Sequence, residues 1–232
     1  GMMTMSGTSG ASGAWYKTEG NAWKVDTQTA GSKAVAKVYQ QLLDDKSALT
    51  NPRWDPSFDA SINKGQLIGT VAAAWEAPLF ISSAGGTGKG EWKVAQLPDW
   101  FGNGTKTGSD GGSGVAVLKG SKHPAEAMKF LDWFNTQVPD LVSQGLVVAA
   151  TTEAAKTPAA WSEFFSNQDI MAEFKKANDN MASFNYIPGF SAVGSAMNET
   201  AAKAATGDAK VSDIFDTAQT TSVEALKNAK LP

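Results

Sequence analysis

Gly65-Gln66-Leu67-Ile68-Gly69-Thr70-Val71-Ala72-Ala73-Ala74-Trp75 is the stretch on which the reading of the fold turns. A glycine suited to ending a helix opens it, an almost purely apolar run follows, and a large amphipathic ring closes it, with Glu76 and Pro78 directly behind. The run reads as a buried strand that delivers an aromatic side chain to an edge. A ring held by a strand where a sheet opens into a crevice suits a pocket for a flat or sugar-like ligand.

The rest of the composition narrows the chemistry around that ring. With 232 residues, 42% of them hydrophobic, the chain can fill one large or two modest cores without cross-links. A net charge of −3 with scattered lysines leaves no basic stripe for a nucleic acid. The absence of cysteine excludes disulfides and thiolate metal sites, and a single histidine, His123, removes the usual zinc and triad chemistries. No metal or cofactor is therefore expected. No apolar run approaches the roughly 18 to 20 residues of a membrane-spanning helix, and no signal peptide is visible. Gly1-Met2-Met3 reads as an engineered start, with the natural beginning expected elsewhere.

Upstream of the opening stretch, Thr4 to Gly13 reads as a small-residue loop, followed by a hairpin whose arms are Ala14 to Lys17 and Ala22 to Val25. Ala34, Val35, Val38, Tyr39, Leu42 and Leu43 recur at helical spacing and predict a helix covering a sheet. Asp55 and Pro56 predict a capped helix start with Phe58 and Ile62 on one side, and Gly65 its end. Downstream, a short helix is expected over Ala77 to Ile81, and strands over Trp92 to Leu97 and Val115 to Leu118. Between them, Asp99 to Gly114 carries six glycines and only Trp100 and Phe101 as large apolar residues, which marks a long loop or crossing. Pro124 opens a helix with Ala127, Phe130, Leu131 and Phe134 as its core stripe, a second short helix ends at Gly145, and Leu146 to Ala150 reads as another crossing. The remainder is helical, in segments Trp161 to Phe165, Ile170 to Asn178, Val193 to Ala205 and Val211 to Lys227.

Two tempting motifs fail on inspection. Gly88-Lys89 is followed by Gly90 where a phosphate loop needs Ser or Thr, and Ser83 stands where its first glycine belongs. Gly111-Gly112-Ser113-Gly114 lacks the last glycine of a nucleophile elbow, since Val115 occupies it. The carboxylates Glu76, Asp99 and Asp110 do not by spacing alone support glycoside hydrolysis and are equally suited to accept hydrogen bonds from sugar hydroxyls. Eight tryptophans are the stronger signal, because an indole offers apolar area to the C–H face of a sugar together with a polar N–H. Trp75 and Trp100 are the leading candidates by their places at strand ends.

Taken together, Gly65 to Trp75, then Trp92-Lys-Val-Ala-Gln-Leu-Pro98, then Gly111 through Leu131, resemble the solute-binding proteins of ABC sugar importers, the maltose-binding-like family. The likeness continues to Ile187-Pro188, Ala205-Thr206-Gly207 and Glu224-Ala225-Leu226, and so covers nearly the whole chain. It implies an α/β fold of periplasmic-binding-protein type. The chain would hold mainly the second lobe, a strand-helix return segment of the first lobe, and a helix-rich C-terminal half. The implied divisions are second-lobe α/β structure over 1–108, hinge crossings and the return segment over 109–152, and C-terminal helices of the second lobe over 153–232.

The same resemblance implies a sugar or oligosaccharide ligand, ABC permease subunits as partners, and no catalysis. The intact protein would be a monomer at the extracellular face of the membrane or in the periplasm, anchored by lipid through an N-terminal region absent here. Carried over residue by residue, Trp75 matches the stacking aromatic of the second lobe, Glu76 follows it within reach of a hydroxyl, and Gly111, Gly112 and Ser113 match the crossing whose backbone approaches the ligand. Where the maltose-type pattern has a further stacking tryptophan, alignment on Ile187-Pro188 places Gly194, so Tyr186 or Phe190 is expected to substitute, which counts against maltose itself. The competing readings are a glycan-active enzyme with tryptophan subsites and a carbohydrate-binding or adhesion module without a transport role.

Overall fold

Trp15 and Tyr16 are almost completely buried at the start of the hairpin, and the first half of the fold gathers around them. The computed structural model describes residues 6–7, 13–102, 104, 107–143, 146, 156–227 and 229. The chain divides into two compact units, one of Gly1–Thr50, Leu97–Asp110 and Asn180–Pro232, the other of Asn51–Gln96 and Gly111–Asp179.

In the first unit, β1 (Tyr16–Glu19) and β2 (Ala22–Val25) form the expected antiparallel hairpin, with Tyr16 opposite Val25 and Glu19 opposite Ala22. The indole N–H of Trp15 donates to Ser32 Oγ at 2.8 Å, and its ring meets Tyr16, Phe184 and Phe215 edge-on at 5.7 to 6.2 Å. Rings of this size remove about 150–250 Å² each from water, and edge-on pairs add about 0.5–1.5 kcal/mol. The bond to Ser32 sets the rotation of α1 (Ala30–Asp44), whose N-cap Thr29 accepts from the Ser32 N–H. Its buried face is Gly31, Ser32, Val35 and Ala36, while Ala34 and Leu42, expected on the core side, are exposed. Among the described residues its main packing partner is not a sheet but α9 (Val211–Leu226). The Val211 N–H at the start of α9 donates to Gln40 Oε1 of α1 at 3.0 Å and ties the two helices together.

α8 (Phe190–Thr206) and α9 lie side by side, and Val211, Ile214, Phe215 and Ala218 make the buried side of α9 as the spacing predicts. Polar side chains tie the hairpin to α9: the Tyr16 and Ser222 hydroxyls are 2.7 Å apart, and the Thr27 hydroxyl donates to the Phe215 carbonyl at 2.7 Å. A two-residue parallel pairing of β3 (Thr107–Gly108) with β4 (Met181–Ala182) completes this unit.

The second unit has α2 (Pro56–Asn63) capped by Asp55, whose carboxylate accepts the Ser57 N–H at 2.9 Å, with Pro56 in the first turn as expected. These hydrogen bonds hold the Asp55 carboxyl below the usual carboxylate range. Phe58 and Ile62 then pack with Phe80 of α3 (Ala77–Ala84), Val138 of α5 (Val138–Ser143), Trp161 of α6 (Ala159–Phe164) and Ile170 of α7 (Ile170–Asp179).

The strands expected in this unit are where the structure departs from the sequence pattern. Residues 66–73, 92–97 and 115–118 are not assigned as strands. Among the described residues they have no ladder partner, and Ile68 is 96% exposed, so the opening stretch is not a buried strand. A strand exists only when another segment takes its backbone groups, and apolar content alone does not supply one. Around Val94 a side chain takes that place: the Gln168 amide accepts from the Val94 N–H and donates to its carbonyl, both at 2.8 Å. α4 (Pro124–Asn135) forms as expected, yet its stripe of Ala127, Phe130, Leu131 and Phe134 is not sealed, and Phe130 is 57% exposed. The short helix expected to end at Gly145 and the crossing to Ala150 lie outside the described residues beyond Ser143, except for Leu146. No helix among the described residues is long and apolar enough to cross a membrane.

Two outcomes test these assignments. Burial pushes the Tyr16 hydroxyl above its usual value, against a smaller opposing effect of the Ser222 bond. Its contribution to stability is thus complete below about pH 10, where unfolded tyrosine ionises, and is lost as pH rises towards the folded value. Melting curves across that range should show a shallower alkaline decline for Tyr16→Phe than for the parent, and equal slopes would contradict the assignment. Gln168→Leu should lower stability by about 1–3 kcal/mol by stranding both Val94 backbone groups. Urea unfolding with an unchanged midpoint would show that water replaces the amide at no cost.

Candidate functional site

The path of the chain into Trp75 begins with a glycine whose backbone conformation is forced. Gly65 has φ +67, its N–H donates to the Ile62 carbonyl, and the Gln66 N–H donates to the Ser61 carbonyl, both at 2.9 Å. This pair of bonds is a Schellman closure, in which a left-handed residue lets the last carbonyls of α2 be satisfied. The chain then runs without a backbone ladder to a 3-10 turn at Ala74–Glu76.

A single side chain stands in for the missing ladder. The Arg53 guanidinium donates through one nitrogen to Thr70 Oγ1 at 2.6 Å and to the Val71 carbonyl, and through the other to the Glu76 carboxylate. Glu76 is 4% exposed, and its second oxygen accepts the Ala73 N–H at 3.1 Å. Charge-assisted bonds of this kind are about twice as strong as neutral ones. Arg53 is followed by Trp54 in a left-handed conformation (φ +65), a placement that costs a bulky residue about 1–3 kcal/mol. The Trp54 ring packs edge-on to Phe58 at 5.5 Å.

Trp75 is 40% exposed. Gly111 lies against it: with φ +85, a methyl group added there would stand 3.4 Å from the indole nitrogen. Gly112, at φ +125, and Ser113 are exposed. Trp75, Glu76, Gly111, Gly112 and Ser113 thus belong to one unit, and the first three are brought together there.

Trp100, Tyr186 and Phe190 belong to the other unit. Trp100 is 37% exposed, in a loop where the Asp99 carboxylate accepts the Gly104 N–H at 2.8 Å. Tyr186 is 48% exposed, its hydroxyl 3.3 Å from that of Ser109, and its ring is braced edge-on by Phe184 at 4.8 Å and Phe190 at 4.9 Å. Phe190 also meets Tyr16 and Phe184 and is half-buried, so of the two expected substitutes Tyr186 presents the more open ring. Among the described residues no group of histidine, cysteine or carboxylate side chains is arranged to hold a metal ion.

Comparison with solved structures gives this geometry a context. The galacto-N-biose/lacto-N-biose I-binding protein of the ABC transporter from Bifidobacterium longum, solved with lacto-N-biose, matches 98% of this chain at 72% identity with a TM-score of 0.92. The chain has the fold of ABC-transporter sugar-binding proteins. It spans 57% of the length of the B. longum protein. The transporter-associated binding protein of B. animalis subsp. lactis Bl-04, solved with β-1,6-galactobiose, has the same fold at 21% identity, with a TM-score of 0.78 over 97% of this chain and 58% of its own. No protein-family model and no curated protein matches the chain.

Arg53 and Thr70 were not among the residues picked from sequence. The available signal was compositional: Arg53 is the single arginine beside nineteen lysines. A lone arginine suggests a place where a planar fork, and not a point charge, is required.

The Gly111 position yields a prediction. Gly111→Ala should lower the stability of its unit by about 1 kcal/mol, because alanine resists a positive φ, and should perturb Trp75 fluorescence by contact. Unchanged urea unfolding together with an unchanged emission spectrum would show that the close approach of Gly111 to Trp75 is absent in solution.

Proposed function

We propose that this chain is part of the substrate-binding component of an ABC transporter that captures a galactose-containing disaccharide of the galacto-N-biose or lacto-N-biose type outside the membrane and delivers it to a permease. The observation that carries the reading is 72% identity over 98% of the chain to a protein described as binding those disaccharides. The exposed Trp75 ring supports it, since stacking on a sugar needs a flat apolar surface open to the ligand yet held from behind.

In this reading Trp75 stacks on one sugar ring, and Gly111, Gly112 and Ser113 bring backbone groups and a hydroxyl to its edge. In the other unit, Tyr186 presents the most open ring among Trp100, Tyr186 and Phe190 and is the sugar-facing candidate there. The rest of the binding surface belongs to the part of the protein corresponding to the length of the B. longum protein beyond this match. The intact protein works as a monomer, held by a lipid anchor at the extracellular face, and presents the loaded form to the permease subunits. It breaks no bond in its ligand.

Calorimetric titration of lacto-N-biose into a chimera, in which this chain replaces the matching part of the B. longum protein, tests the reading. Saturable binding with the disaccharide recovered intact is expected. Absence of binding would refute the ligand assignment, and cleavage would favour a glycan-active enzyme. In the same chimera Trp75→Ala should weaken binding by about 1–3 kcal/mol without changing the melting temperature. An unchanged affinity would remove Trp75 from the site.

A further inference from the structure

We infer that Arg53 is the positioning residue of the site: its guanidinium fixes the direction of the Trp75 ring by fastening the chain on both sides of it. The inference rests on the preceding reading that Trp75 faces the sugar. Arg53 holds Thr70 and Val71 before the ring and Glu76 immediately after it, so the ring is carried on a loop closed at both ends by one planar group. Among the described residues the segment has no strand partner, and nothing in the backbone ladder would otherwise set its course.

Three further features agree. Both oxygens of Glu76 are engaged inside the protein, one by Arg53 and the other by the Ala73 N–H, and the side chain is 4% exposed. Its role is then to anchor the turn, and not to receive a sugar hydroxyl. The left-handed backbone of Trp54, with its ring packed on Phe58, fixes the chain directly beside Arg53. Strain of this kind persists only where the surroundings over-determine it. Finally, a lysine ammonium at position 53 would be a single point donor on a flexible stem, whereas the arginine fork reaches three separated acceptors at once.

Fluorine NMR of this chain labelled with fluorotryptophan tests the assignment without any sugar. The Trp75 resonance is identified by its loss in Trp75→Phe, and that of buried Trp161 by its loss in Trp161→Phe. In Arg53→Met the Trp75 resonance should shift and gain solvent exposure while the Trp161 resonance stays in place, and Arg53→Lys should move it the same way by less. In the chimera, Arg53→Met should weaken lacto-N-biose binding by about tenfold. An unmoved Trp75 resonance in Arg53→Met overturns the inference. If that variant fails to fold, Glu76→Leu, which removes the acceptor that the guanidinium holds after the ring, supplies the same reading, and an unmoved Trp75 there overturns it equally. A displaced Trp75 with unaltered sugar affinity would uphold the positioning role and refute the preceding placement of Trp75 on the sugar.

Discussion

The ion pair between Arg53 and Glu76 is the contact on which the presentation of Trp75 depends. Fixing each backbone residue costs about 1–2 kcal/mol in entropy, and residues 66–73 have no ladder to offset it. A nearly buried carboxylate is also expensive unless paired, so the two requirements meet in one group. Arg53 neutralises Glu76 and, with its remaining donors, orders the approach to the turn. Loss of the guanidinium would leave a buried charge and a loose segment together, which makes the pair more than an incidental surface bridge.

The aromatic residues range from sealed to widely open, and the proposed ligand rings are among the open ones. Trp15, Trp161 and Phe215 are sealed, and Trp15 spends its polar N–H on Ser32. Trp75, Trp100 and Tyr186 retain 37 to 48% of their surface, while turns, loops or neighbouring rings hold them. Tyr186 shows the construction most plainly: two phenylalanines brace its edges and Ser109 meets its hydroxyl. A ring set in this manner loses little freedom on stacking against a sugar, which is where such contacts gain affinity.

Helices and caps were legible in the sequence because their determinants are local. Asp55 with Pro56, the Gly65 closure and the buried face of α9 all lie within a few residues of the features they specify. The β1–β2 hairpin was legible because its two arms flank a short turn, but the longer-range strands were not, since an apolar run such as Leu67 to Ala74 reads alike with or without a distant partner. The stripe of α4 shows the same gap for packing: its spacing is correct, but spacing cannot show what covers Phe130. At the site, Trp75 was singled out as the end of a strand that the structure does not contain; its 40% exposure comes with a 3-10 turn at Ala74–Glu76. The burial of Glu76 was not legible, because it depends on Arg53, twenty-three residues earlier in the chain.

The account stands on the claim that the Trp75 face is where the disaccharide settles. Fluorine NMR of the labelled chimera during titration with lacto-N-biose reads that face directly. The Trp75 resonance should move saturably, with the midpoint found by calorimetry, while the resonance of buried Trp161 stays fixed. Calorimetric binding with Trp75 unmoved throughout the titration would contradict the account.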